Sequence, residues 1–423
     1  MKRLCLINAV GLTPELARRR PYFKKLGQIN RLKSCVPAVT MSSQATMLTG
    51  TSPREHGIVG NGWLFKDTME VRFWQQAHTL IERDCFYKDY QTAKLFWWFN
   101  QGAPAEWSVT PKPHYGCDGS KVFDVLDLTN LNLTAKLGAF PFHTFWGPMA
   151  GLPCSKWIAQ ASAEVIKEHQ PQLTMVYLPH LDYDYQRQPP GAEKNLEELE
   201  ACIETVVQAA QAKDMEVVIV SEYGLSEVRR PIMINKCLRE MGWLKARLGP
   251  FGEVLLPTDS KALAVCDHQI AHVYLNGLDK ELVKRELEQL EGVAAVVPAG
   301  DLLLDHDRAG DWVVLAEKDA WFCYEYWLDD ALRPDFANTI DIHRKPGYDP
   351  CELFMSSKLN VARRMLQKNL GFRTRFDIVD TNPMLVRGSH GLLNNNDEGA
   401  VIIGSNPPDD MMAIPEYVRS ILT

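Results

Sequence analysis

Pro37-Ala38-Val39-Thr40-Met41-Ser42-Ser43-Gln44-Ala45-Thr46-Met47-Leu48-Thr49-Gly50, followed by Pro53-Arg54-Glu55-His56-Gly57-Ile58, is the stretch on which the reading of this 423-residue chain turns. By composition alone it is a helix with Met47 and Leu48 on its apolar face and the Thr40 hydroxyl as its cap. That reading leaves Thr40 a structural residue. What lies on either side decides whether it is more.

Upstream, residues 4–10 form an apolar run closed by Gly11, and Pro14-Glu15-Leu16-Ala17 then starts a helix, the pattern of a buried strand feeding a helix. Similar strand signals recur at 173–178 and 216–220. Between them, Leu196, Leu199, Ile203, Val206 and Val207 fall at helical spacing. The order strand, helix, strand predicts a parallel sheet covered by helices. In such sheets ligands collect beyond the carboxyl ends of the strands, where this chain places its chemically unusual residues. From about 242 the texture changes. A strand near 272–275, a charged helix over 280–290 and a strand over 293–297 suggest an inserted α+β cap spanning 242–333, which leaves 1–241 and 334–423 as the core. Residues 400–403 read as a last core strand.

Composition narrows the chemistry. A chain that is 46% hydrophobic and 23% charged can bury a large α/β core. A net charge of -7 argues against a broad nucleic-acid face, which needs clustered Lys and Arg to displace counterions. It leaves room for a small anionic, phosphate-containing substrate. No stretch approaches a membrane span, and no membrane partner is expected. The ten cysteines are scattered, without C-x-x-C pairs, which fits a reducing cytoplasm.

The segment quoted first resembles the nucleophile region of the nucleotide pyrophosphatase/phosphodiesterases of the alkaline phosphatase superfamily, where Pro-x-x-Thr opens a helix, Thr-Gly closes it and Pro-x-x-His-Gly-Ile follows. Three further segments fall in the family's order: Pro179-His180-Leu181-Asp182-Tyr183-Asp184-Tyr185-Gln186, Ser221-Glu222-Tyr223-Gly224 and Arg387-Gly388-Ser389-His390-Gly391. The resemblance implies an alkaline phosphatase-like three-layer α/β sandwich with a mostly parallel sheet. It also implies a covalent phosphothreonine on Thr40, whose hydroxyl a bound metal would ionise at a helix N-terminus suited to anions.

The metal ligands depart from the family pattern. Asp182 and His390 match. Gln186 and Tyr223 stand where the family has His, Glu222 where it has Asp, and Val10 where it has a ligating Asp; Asn8, two residues earlier on the same strand face, is a weak substitute. Oxygen donors favour harder ions, so the expectation is one or two divalent ions, Zn, Mg or Mn. Asn61 is a candidate phosphoryl contact. The run Asp341-Ile342-His343-Arg344-Lys345 reads either as a surface loop held by internal ion pairs or as substrate-binding residues, Asp341, His343, Arg344 and Lys345 among them. His56 is expected to anchor its turn, His180 to serve as a partner or ligand near Asp182, and Lys112, His114 and Asp118 to sit on a loop near the pocket. The leading reading is a metal-dependent phosphohydrolase, close to phosphodiesterases and nucleotide pyrophosphatases. Its alternatives are a phosphonate hydrolase and a metal-degenerate, inactive binding or scaffold protein.

Overall fold

The computed structural model describes residues 2–117, 121–127, 129–394 and 396–423. Asp118, one of the pocket-loop candidates, lies outside them. An eight-stranded sheet runs in the order Gln28–Leu32, Ala400–Gly404, Met215–Val220, Arg3–Ala9, Leu173–Leu178, Thr92–Leu95, Trp107–Tyr115, Lys121–Asp127. The five strands from Met215–Val220 to Trp107–Tyr115 are parallel, and antiparallel strands close both edges. Arg3–Ala9 lies at the centre because it is apolar on both faces: Leu4, Cys5, Leu6, Ile7 and Ala9 are all fully buried, as a doubly covered parallel strand requires. Leu152–His169 and Glu193–Gln211 cover the sheet, the latter with the Leu196, Leu199, Ile203, Val206 and Val207 stripe turned inward.

A separate four-stranded antiparallel sheet, in the order Ala262–Asp267, Ile270–Leu275, Trp312–Ala316, Val293–Val297, carries the helix Lys280–Glu288 and an apolar cluster of its own. Its first two strands form a hairpin whose tip, His268, has a φ of +62°. That tip reaches back to the ends of the main strands.

Two glycines fix how the loops beyond those strands meet. A Cβ on Gly224 would stand 1.8 Å from the Glu398 carbonyl oxygen, and one on Gly388 would stand 2.0 Å from that of Tyr185. Both obstacles are backbone and cannot rotate away. Gly224→Ala is therefore expected to cost about 3 kcal/mol or more, read as a lowered denaturation midpoint; a change under about 0.5 kcal/mol would mean the two loops do not meet in this way.

All ten cysteines are free. Among the described residues no helix is long and apolar enough to cross a membrane.

Candidate active site

Thr40 opens the helix Thr40–Thr49, which is buried from Thr40 to Leu48 and closed by Gly50 at φ +70°. Val39, not Thr40, occupies the cap position. Free of a capping role, the Thr40 hydroxyl lies 3.0 Å from the Tyr223 hydroxyl. The next backbone N–H, that of Met41, donates to Asn61 Oδ1 at 3.0 Å.

Glu222 follows the strand Met215–Val220 and is fully buried. Its Oε1 accepts from Asn8 Nδ2 at 2.7 Å and Gln44 Nε2 at 2.6 Å. The Gln44 carbonyl oxygen in turn accepts from the Trp98 N–H at 2.8 Å. Glu222 Oε2 and Asn8 Oδ1 have no partner. Burial pushes the Glu222 carboxyl up to about 8, although the hydrogen bonds from Gln44 and Asn8 pull it down.

Asp182 lies in the short helix His180–Arg187 beyond the strand Leu173–Leu178. Gln186, one turn on, donates to its Oδ2 at 2.7 Å and accepts from the Tyr348 hydroxyl at 2.5 Å. Asp182 Oδ1 has no hydrogen-bond partner. It lies 3.6 Å from His390 Nε2, too far for a hydrogen bond between them. Burial pushes Asp182 up to about 7. His390 Nδ1 is 2.8 Å from the Ala38 carbonyl, which can only accept, so the proton is on Nδ1 and Nε2 keeps its lone pair. Burial, with His268 next, holds His390 well below the usual imidazole range and neutral.

The inserted hairpin completes the site with two residues that the sequence reading did not single out. Asp267 accepts from the Asn61 backbone at 2.7 Å and from its side-chain amide at 3.0 Å, which aims Asn61 Oδ1 at the start of the Thr40 helix. His268 bonds Asp267 at 2.8 Å and joins a stack of rings: Tyr348 at 3.6 Å, His390 at 3.7 Å, and Tyr223 on His390 at 3.5 Å and 8°. The visible signal was Asp267-His268 between two apolar strands. Its destination, over 200 residues from Asn61, was not visible.

A pair of metal ions does not fit this donor set. Val10 offers nothing, Tyr223 is a neutral phenol held well above its ordinary value by burial, and one oxygen of Glu222 is capped by two amides. Among the described residues, no three His, Cys, Asp or Glu side chains stand together as a metal group. A single oxygen-preferring ion fits better, since Asp182 Oδ1 and His390 Nε2 are free donors facing each other and Asn8 Oδ1 and Glu222 Oε2 are unpartnered acceptors.

The remaining candidates separate. Lys345 is buried and spends its three donors on Asp349 at 2.7 Å, Glu352 at 2.7 Å and the Thr339 carbonyl at 2.9 Å. Asp341 faces Lys121 at 3.1 Å, and the mostly exposed Arg344 pairs with Asp335. Of that run His343 borders a cleft of about 600 Å³ shared with Arg72, Gln75 and Pro346, and Arg344 borders a smaller one of about 280 Å³ with Asp335 and Phe336. His56 bonds Thr46 and the Ile58 N–H and so anchors its turn. His180 is buried with no partner for either ring nitrogen. Lys112 lies in the strand Trp107–Tyr115, and His114 is exposed on it.

Residues 4–349 match the family model of type I phosphodiesterase / nucleotide pyrophosphatase. Among solved structures, the chain is similar to phosphonoacetate hydrolase from Sinorhizobium meliloti 1021 in complex with phosphonoformate, at 14% identity and TM-score 0.63, covering 100% of this chain and 96% of that one. It is also similar to an inactive form of murine ectonucleotide pyrophosphatase / phosphodiesterase 5 in complex with AMP, at 10% identity and TM-score 0.59, covering 100% and 95%. At these identities the likeness shows a shared fold. No curated protein matches the chain.

Proposed function

Because the chain belongs to the type I phosphodiesterase / nucleotide pyrophosphatase family, a family of phosphoric ester hydrolases, we propose that it hydrolyses a small phosphate ester or anhydride through a covalent intermediate on Thr40. The observation that carries this reading is the Thr40 hydroxyl, released from capping and set at the N-terminus of a buried helix against the Tyr223 hydroxyl, with the buried Glu222 the residue before Tyr223. Glu222, with a free oxygen and an affinity raised toward neutral pH, takes the hydroxyl proton as the Thr40 oxygen bonds phosphorus and the leaving group departs. Tyr223, stacked on His390, donates its O–H to the developing alkoxide. Asn61 and the helix N-terminus orient the phosphoryl oxygens. Thr40 is only 5% exposed, which favours a small substrate over a polymer.

One divalent ion would be held by Asp182 and His390, and it would supply charge neutralisation at a phosphoryl oxygen. An ion at that position relieves the cost of burying ionised Asp182. Added Mg²⁺, Mn²⁺ or Zn²⁺ is therefore expected to raise the melting temperature above pH 7, more than at pH 5, and to do so in the wild type but not in Asp182→Asn. An equal shift in both proteins would place the ion elsewhere. Hydrolysis itself is tested with chromogenic phosphodiester and phosphomonoester substrates across the same ions. Absence of turnover under all of them would favour a binding role for the site.

A further inference from the structure

The helix Lys358–Asn369 is turned the wrong way for a soluble protein. It buries none of its residues. Its polar face turns toward the segment that follows it: Asn360 donates to the Asp377 carbonyl at 2.7 Å, and Arg364 grips the Asp377 carboxylate with two bonds of 2.5 and 2.6 Å. The apolar side chains point away. Leu359, Leu366 and Leu370, at i, i+7 and i+11, form one stripe that is 84%, 60% and 65% exposed, and Phe372 beyond the helix end is 65% exposed. An amphipathic helix normally hides that stripe.

Charge identifies what covers it. From 353 to 376 the chain carries six cations, Lys358, Arg363, Arg364, Lys368, Arg373 and Arg375, and no acid, although the whole protein has a net charge of -7. Among the described residues, Arg364 and Arg375 are the two of these cations that form ion pairs, both with Asp377. An exposed leucine stripe with a phenylalanine, flanked by unopposed cations on a helix too polar to span a bilayer, is the pattern of a helix lying in a membrane interface. A second copy of the chain would bring the same cations against one another. We propose that this face docks on an anionic lipid surface, with the leucines and Phe372 at the acyl boundary and the cations among the headgroups. The absence of a membrane partner, expected from the lack of a spanning segment, does not extend to such surface attachment.

The test is flotation of the full chain with vesicles of phosphatidylcholine alone and with about one third phosphatidylserine. The wild type is expected to float with the anionic vesicles, to float poorly with the neutral ones, and to release as salt rises. The double variant Leu366→Glu/Leu370→Glu should bind about tenfold less or weaker, and so should Arg363→Glu/Lys368→Glu. Neither pair touches the core, so both should melt with the wild type; the charge pair keeps the test intact if the leucine pair misfolds. A chain that stays in solution with anionic vesicles overturns the proposal. So does equal binding to neutral vesicles, or a wild-type dimer in light scattering that the leucine variant splits while lipid binding is absent.

Discussion

Thr40→Ala is expected to lower turnover of a phosphodiester by about 10³-fold or more, with little change in melting temperature. The size follows from what is removed. A nucleophile acting in concert with a base and a donor cannot be replaced in part by its neighbours, so loss of the one oxygen that bonds phosphorus collapses the contribution of the set. The small effect on stability follows from the helix, whose cap is at Val39 and whose buried turns do not depend on the Thr40 hydroxyl. Rates within threefold of wild type would place the nucleophile elsewhere.

Glu222→Gln should do the opposite to stability while removing activity. The folded carboxyl is raised from 4.5 to about 8 by burial. A group whose folded pKa is raised contributes stability that is fully present below its unfolded pKa and is lost as pH rises through the folded one. Over the window from about pH 4.5 to pH 8 the wild type therefore loses stability through Glu222, by about 4 kcal/mol at the upper end if nothing relaxes. Glutamine keeps an acceptor for the Asn8 and Gln44 amides and cannot ionise. Denaturation at pH 8 should show the variant more stable by a few kcal/mol, with the difference shrinking to near zero at pH 4. Turnover should fall with it, because the proton acceptor for Thr40 is gone. Such a pair of changes separates a functional carboxylate kept at the cost of stability from a scaffold residue, whose loss would lower both. A variant less stable than wild type at pH 8 would mean that Glu222 is ionised and compensated in the native protein.

The parts of the fold that were legible in the sequence are those whose burial is written as a local pattern. The strands at the sheet centre are unbroken apolar runs, and Glu193–Gln211 shows its buried stripe at helical spacing. Thr92–Leu95 escaped notice because it is four residues long and carries Lys94, whose ammonium is buried against the Trp98 carbonyl. Leu152–His169 covers the sheet with Ala, Ser and Cys as well as large side chains, so its buried face lacks a continuous stripe of leucines. Among the candidate residues, Thr40, Asp182, Glu222 and His390 were singled out through segment order. The groups around them were not: Gln44 reaches Glu222 from the Thr40 helix, whereas Tyr348, Asp267 and His268 come to the site only where their loop and the hairpin end. The same limit explains Lys345. Its cation beside Arg344 and His343 looks like a phosphate clamp in one dimension, but folding places two carboxylates on it.

The nature of the reworked centre bears on what the chain can do with phosphate. Where a paired-ion site would neutralise charge with metals, this one holds neutral polar groups: a stacked phenol at the Thr40 hydroxyl, Gln44 and Asn8 donating to Glu222, and Asn61 accepting from the N–H that follows Thr40. Under the proposed mechanism, that arrangement would limit the charge the site can stabilise and place more of the work on Glu222. The most direct measurement is therefore of the phosphoryl group itself. Wild-type protein and Glu222→Gln, incubated with a phosphodiester RO–PO2–OR′, quenched in acid and mapped by peptide mass spectrometry, should show the RO–PO2 group, with R′OH released, on Thr40 in the wild type and little or none in the variant. That group on another residue, or continued hydrolysis by Thr40→Ala with no modified peptide in either protein, would contradict the account.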